Sequence, residues 1–263
     1  MRLRALLAVL AATCLGAPAE AQQPPQFPPA GTGEGWLASH SLQIGIETLS
    51  GDDNRFQWDF DIGGEVDLVR FDAGRVNLLV NYESVLGEQL QRFDPIFNNY
   101  TIDVLGGFTK GSIEWALRFH HVSRHLGDRP KNYGIAWNMV GAQVAWRRTR
   151  APVAMQVRGW IQGEVARYSV DYDAELGADA IVERSLSPKV SIVGRGNTQA
   201  FLIDDQRSPR GTQVGGRLEG ALRLSGSGAA AELYVAVDRR VDADPLENLP
   251  VTWALVGLRF LSR

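Results

Sequence analysis

The chain contains one cysteine in 263 residues, Cys14, and no second thiol with which it could pair. Intrachain disulfides are therefore excluded as a source of rigidity. Beyond the first two dozen residues there is no apolar run approaching the roughly 20 residues that a membrane-spanning helix needs. A basic excess is missing too. The 27 Lys and Arg are outnumbered by 30 Asp and Glu, for a formal net charge of −3, and nucleic-acid binding usually shows the opposite balance. These absences leave one membrane architecture open, because strands of a barrel alternate in polarity and escape a search for apolar runs.

The N-terminus carries an export signal. Arg2 and Arg4 form a short basic region, residues 5–15 are apolar, and Ala19-Glu20-Ala21 places small residues where a signal peptidase reads them. Cleavage is expected after Ala21, with residues 1–21 as the signal peptide. Lipidation would need a small residue before Cys14, where Thr13 stands. Cys14 then leaves with the signal, and the mature chain becomes one unit more acidic. Residues 22–35 carry Pro24, Pro25, Pro28 and Pro29 and little that is apolar beyond Phe27. They read as an extended leader or tail rather than a plug. Residues 36–263 form the domain.

Within that domain the dominant period is two. Phe56, Trp58, Phe60 and Ile62 alternate with Gln57, Asp59, Asp61 and Gly63. The same holds for Val76, Leu78, Val80 and Tyr82, and for Ile113, Trp115, Leu117 and Phe119 against Glu114, Ala116, Arg118 and His120. Leu218, Leu222 and Leu224 face away from Arg217, Glu219 and Arg223, and Leu233, Val235 and Val237 away from Glu232, Tyr234 and Asp238. Each run puts one stripe against hydrocarbon or a core and the other against water.

A soluble sandwich would need a second sheet to cover these stripes. A membrane barrel fits the run lengths better, because a tilted spanning strand needs about 9–11 residues and an ordinary strand only about 5–6. Breaks alternate between short turns (Asp72-Ala73-Gly74, Lys110-Gly111, Ser187-Pro188, residues 225–228) and longer polar connections (51–55, 88–98, 125–133, 204–210, 241–250). Short turns at one end and longer loops at the other are the barrel pattern. The expectation is an all-β, closed antiparallel transmembrane β-barrel of about twelve strands, with two strands flanking Ser187-Pro188. The final run ends Gly257-Leu258-Arg259-Phe260, similar to the terminal strand by which such barrels are recognised for insertion, although Leu261-Ser262-Arg263 follow it. Trp36, Trp146 and Trp253 lie near run ends, where aromatic girdles belong.

The inward stripe is charged: Asp59, Asp61, Glu65 and Asp67 on one strand, Glu114 and Arg118 on another, Arg158 and Glu164 on a third, Arg217, Glu219 and Arg223 on a fourth. With both signs present in a narrow lumen, ion pairing is expected over an open conducting path. Three of the four histidines fall within residues 120–125. His120 and Arg124 share the lumen parity, while His121 and Ser123 continue the lipid face. That excludes His120, His121 and His125 as one metal set. A histidine and a serine two apart on one strand face are close enough for an imidazole to activate a hydroxyl when a third group orients it. Asn138, on the next run, has the parity of Ala136 and Val140 and shares that outward face.

His121-Val122-Ser123 resembles the His-x-Ser motif of outer-membrane phospholipase A and of lipid A 3-O-deacylase, barrels whose histidine and serine face the membrane. The resemblance implies Ser123 as nucleophile and His121 as base, with Asn138 as the orienting amide of the phospholipase, and calcium only under that reading. Arg124 follows the serine where those enzymes carry asparagine, and Ile135 and Ala136 stand where the deacylase has its acidic residue. Separately, Ser123-Arg124-His125-Leu126-Gly127-Asp128 resembles the Ser-x-His-Leu-Gly-Asp signature of a bacterial outer-membrane barrel family of unknown function. It implies a strand-to-loop turn at Gly127-Asp128, with His125 and Asp128 as hydrogen-bonding partners. Two functions follow: a structural, surface or transport barrel without a cofactor, or a lipid ester hydrolase. Both place the chain in the cell outer membrane, among outer-membrane lipids, inserted by the barrel-assembly machinery.

Overall fold

The computed structural model describes residues 34–127 and 132–262, so the signal peptide, most of the leader and Asp128 lie outside the described residues. Over these residues the strands are β1 (Gly35–Trp36), β2 (His40–Leu49), β3 (Trp58–Phe71), β4 (Gly74–Glu88), β5 (Arg92–Lys110), β6 (Ile113–Leu126), β7 (Ile135–Arg150), β8 (Val153–Tyr168), β9 (Tyr172–Ser185), β10 (Val190–Ile203), β11 (Gln213–Ser225), β12 (Ala229–Arg240) and β13 (Val251–Ser262). Every pairing is antiparallel, and from β2 onward each joins sequence neighbours until β13 pairs with β2 and closes the ring. The result is a closed twelve-stranded barrel from β2 to β13. The two-residue β1 pairs with the end of β3 beside Arg70 and Val69.

Period two in the sequence becomes inside and outside. Leu233, Val235 and Val237 are 54–60 % exposed on the outer wall, whereas Glu232, Tyr234 and Asp238 between them are buried. The arrangement is inverted relative to a water-soluble protein: apolar side chains cover the exterior and charges fill the interior. A single closed sheet offers no second sheet to cover that exterior, so the sandwich alternative is set aside.

Four expectations need correction. The 88–98 connection is only residues 89–91, because β5 starts at Arg92. β6 runs on through Leu126, so His125 belongs to the strand and not to a loop. Phe56 precedes β3 and packs inside, with its ring centroid 5.3 Å from that of Trp253. Trp253 is itself buried opposite Asp238, on the inward register of β12 and β13, and so is no girdle residue. By contrast, β9 and β10 flank Ser187-Pro188 as expected, with the Ser187 hydroxyl accepting from the Val190 N–H at 3.1 Å.

The interior has three layers. At its middle, Glu219 accepts from Arg195, Arg217 and Arg259 at 2.6–2.9 Å, Glu232 from Arg195, Arg223 and Arg259 at 2.6–2.9 Å, and Glu47 from Arg217 and the Tyr234 hydroxyl. Removing one buried carboxylate would strand several guanidiniums, a loss of about 3–5 kcal/mol per broken pair. At the loop end, residues 241–244 fold into the mouth and are buried. Ala243 joins an apolar cluster with Phe56, Val85, Ile96, Phe97, Leu126 and Trp253, and Val241 joins Val122, Trp137, Tyr172 and Phe201. Asp242 pins this stopper. Its carboxylate accepts from Arg210 and the Tyr172 hydroxyl, and its carbonyl from Arg124 at 2.7 Å. Burial disfavours charge on Arg210, but Asp242 and Asp171 outweigh it and raise its pKa. Toward the turn end the lumen widens into a cavity of about 810 Å³, lined by residues including Glu65, Arg75, Glu114, Arg147 and Arg158.

Candidate functional site

The outward face of β6 carries His121, Ser123 and His125 at successive outward positions. Register then decides what stands beside them. Tyr82, Tyr100, Ser123, Ala136 and Tyr168 are direct partners across β4, β5, β6, β7 and β8. One step nearer the turn end, Val80, Ile102, His121, Asn138 and Ala166 form the next row. One step nearer the loops, Ser84, Asn98 and His125 form a third. These rows place a polar patch on the outward face of β4 to β7.

Within the patch the His121 Nδ1–H donates to Asn138 Oδ1 at 2.9 Å, and the Asn138 amide donates in turn to the Ala166 carbonyl at 3.4 Å. That fixes the imidazole tautomer and leaves Nε2 as the basic nitrogen. Ser123 Oγ lies 3.3 Å from His125 Nε2. The His125 ring meets Tyr100 edge-on at 5.2 Å, Tyr100 packs on Tyr82 at 5.1 Å, and the Tyr82 hydroxyl donates to Asn98 Oδ1 at 2.8 Å. Gly127 closes the strand: its N–H donates to Ile96 O at 3.0 Å, and a Cβ there would sit 1.6 Å from the Pro95 carbonyl oxygen. Only glycine fits, which gives the Leu-Gly step a structural cause.

Height matters as much as contact. Ser123 is ten residues beyond Ile113, the first residue of β6. At about 3.3 Å per residue and a tilt of about 40° this is about 25 Å of wall, the height of a barrel's apolar band. Trp115, Leu117 and Phe119 occupy the stretch between and are exposed on the outer wall. The imidazoles and the hydroxyl thus sit at the loop-side border of the belt, where an ester linkage of a lipid lies.

The other sequence-selected residues face inward. Asp59 pairs with Arg240 at 2.7 Å, Arg118 with Asp103 at 2.8 Å, Arg158 with Asp179 at 2.7 Å, and Arg223 with Glu183 and Glu232 at 2.6 Å each. Arg217 holds Glu47 and Glu219, Glu114 pairs with Arg75 at 3.0 Å, and Asp61 accepts from Gln43 at 2.9 Å. Glu65 lines the turn-end cavity. His120 turns inward, with Nδ1 2.5 Å from Asp103, so the two adjacent histidines stand on opposite sides of the wall. Sequence reasoning missed Tyr82, Asn98 and Tyr100. Their contribution comes from the pairing of β4 and β5 with β6, for which no local motif exists.

No family model and no curated protein sequence matches the chain. Among solved structures, the outer membrane phospholipase A from Escherichia coli is similar with a TM-score of 0.53 at 11 % identity, over 85 % of this chain and 92 % of that one. The Salmonella typhi outer membrane phospholipase dimer with bound calcium gives 0.52 at 12 % identity, over 85 % and 90 %. An outer membrane channel from Pseudomonas putida F1 gives 0.51 at 12 % identity, over 90 % and 99 %. The fold is that of the outer-membrane barrels. At such identities enzymes and a channel share it equally, so the likeness speaks for architecture and the site must speak for chemistry.

Proposed function

We propose that this protein is an outer-membrane lipid ester hydrolase of the phospholipase A type, working at the loop-side surface of the bilayer. The observation that carries the reading is the His121–Asn138 hydrogen bond on the outward wall, one residue row from Ser123. The amide holds the imidazole by Nδ1 and leaves Nε2 as its basic nitrogen, the arrangement that a base beside a serine requires. Ser123 attacks the acyl carbonyl as its proton passes to His121 Nε2. The imidazolium then protonates the leaving alcohol, and water, deprotonated by the same nitrogen, releases the fatty acid from the acyl-serine. The apolar belt below the patch receives the acyl chains. Outer-membrane lipids are thus both solvent and substrate, and the export signal and barrel-assembly machinery deliver the protein to them. Transport is disfavoured by the seated 241–244 segment and the ion pairs that cross-link the lumen.

Purified protein in mixed micelles, with and without calcium, is expected to release fatty acid from phospholipid. Ser123→Ala should fall to background while still showing the heat-dependent gel shift of a folded barrel. Failure of the wild type to exceed that variant on phospholipid and on lipid A would sink the enzyme and leave a structural or surface barrel.

A further inference from the structure

We propose that His125 is a second general base for Ser123, so that the serine is served by two imidazoles, one on either side along the same strand. This rests on the hydrolase reading above and adds to it a catalytic residue that the His-x-Ser motif does not contain.

Three observations converge on it. Extension of β6 through Leu126 puts His121, Ser123 and His125 on one face, so both histidines are two residues from the serine. The hydrogen bond that Ser123 Oγ makes is to His125 Nε2 at 3.3 Å, whereas His121 is engaged through Nδ1 with Asn138. His125 is also oriented: its ring sits edge-on against Tyr100 at 5.2 Å and 89°, and Tyr100 is backed by Tyr82, whose hydroxyl is tied to Asn98. An aromatic shelf from β4 and β5 thus fixes the ring plane of His125 by packing, where the β7 amide holds His121 by a hydrogen bond. A base must lie within hydrogen-bond reach of the proton it removes, and resting-state contacts are often looser than those in the loaded site. His125 meets that requirement.

The chemistry balances on this nitrogen as it does on His121. As the Oγ–C bond forms, the Oγ–H proton passes to His125 Nε2. Collapse of the tetrahedral adduct breaks the bond to the alcohol oxygen, which takes that proton. Water, deprotonated by the neutral imidazole, then cleaves the acyl-serine to fatty acid and restores the hydroxyl.

The test uses the full-length mature barrel in mixed micelles of phosphatidylcholine and detergent, comparing wild type, Ser123→Ala, His121→Ala, His125→Phe and the double variant. Phenylalanine keeps a ring against Tyr100 and removes both ring nitrogens. His125→Phe should lower kcat at least about tenfold with little change in KM, as expected for loss of a base at constant binding. His121→Ala should stay measurably above Ser123→Ala, and the double variant should reach it. The pH profile of His121→Ala should retain an imidazole-type acid limb. A His125→Phe rate equal to wild type, or His121→Ala already at the Ser123→Ala level, overturns the second base and leaves the hydrolase standing. A wild type no faster than Ser123→Ala overturns the hydrolase itself and this inference with it. The gel shift confirms that each variant is folded.

Discussion

At the scale of single residues, the outward patch is a set of side chains whose meaning depends on which way each one points. Asn138 hydrogen-bonds His121, and under the proposed hydrolysis Asn138→Ala should lower the rate roughly 10- to 100-fold, less than Ser123→Ala. His120→Ala should leave the rate at the wild-type value, because that imidazole is committed to Asp103 inside the lumen. Initial-rate comparison of the two variants separates a positioning contact from a neighbour in sequence; equal losses would remove the assigned role of Asn138. Parity makes the shared outward face of His121, Ser123 and Asn138 legible in the sequence alone, since period two is a property of the chain itself. His125 is misplaced by sequence reading because Gly127-Asp128 carries turn chemistry, whereas β6 continues through Leu126. Tyr100 was invisible because its place beside Ser123 is a fact of β5–β6 register, which hangs on the two-residue turn at the far end.

At the scale of the strand, β6 is the element that divides the molecule. Its outward residues Trp115, Leu117 and Phe119 meet hydrocarbon, and its inward residues descend from the open cavity into the seated mouth. Single cysteines should report this as a gradient. Positions 115, 117 and 119 should resist a membrane-impermeant thiol reagent, Glu114→Cys and Arg118→Cys should react through the cavity they line, and Arg124→Cys under the stopper should not. Labelling of position 124 as fast as position 114 would show that the loop end is open. Strand existence was readable throughout from alternation, yet the start of β5 was not. Asp94-Pro95 and the polar residues before it carry turn chemistry, and a proline is normally excluded from a paired strand. The ladder accommodates Pro95 because the β4–β5 register shifts between Val85 and Leu86 and again between Gly87 and Glu88.

At the scale of the whole barrel, the sequence announced the inversion of polarity but not the stopper. Residues 241–250 are rich in aspartate and proline and read as an ordinary outer loop. They fold inward because Arg124, Arg210 and Tyr172 converge on Asp242 from three strands or loops distant in sequence, and Arg55 reaches Asp244 at 3.2 Å. In planar bilayers the wild type should therefore show no steady ion current. Replacing residues 241–249 by a short Gly-Ser linker should make Arg124→Cys reactive to the same thiol reagent, while the ion pairs across the lumen keep the steady current low. Persistent open-channel current in the wild type would contradict the seated loop and return transport to first place.

The wall of this barrel is one residue thick, and the chain makes use of both surfaces in consecutive positions. Ser123 looks out to the lipid, while Arg124 grips the Asp242 carbonyl within. The fastening of the stopper and the proposed nucleophile are thus separated by a single peptide unit. Under the hydrolase reading, the outer surface would draw its support from the filled interior, much as a tile is held by the nail behind it.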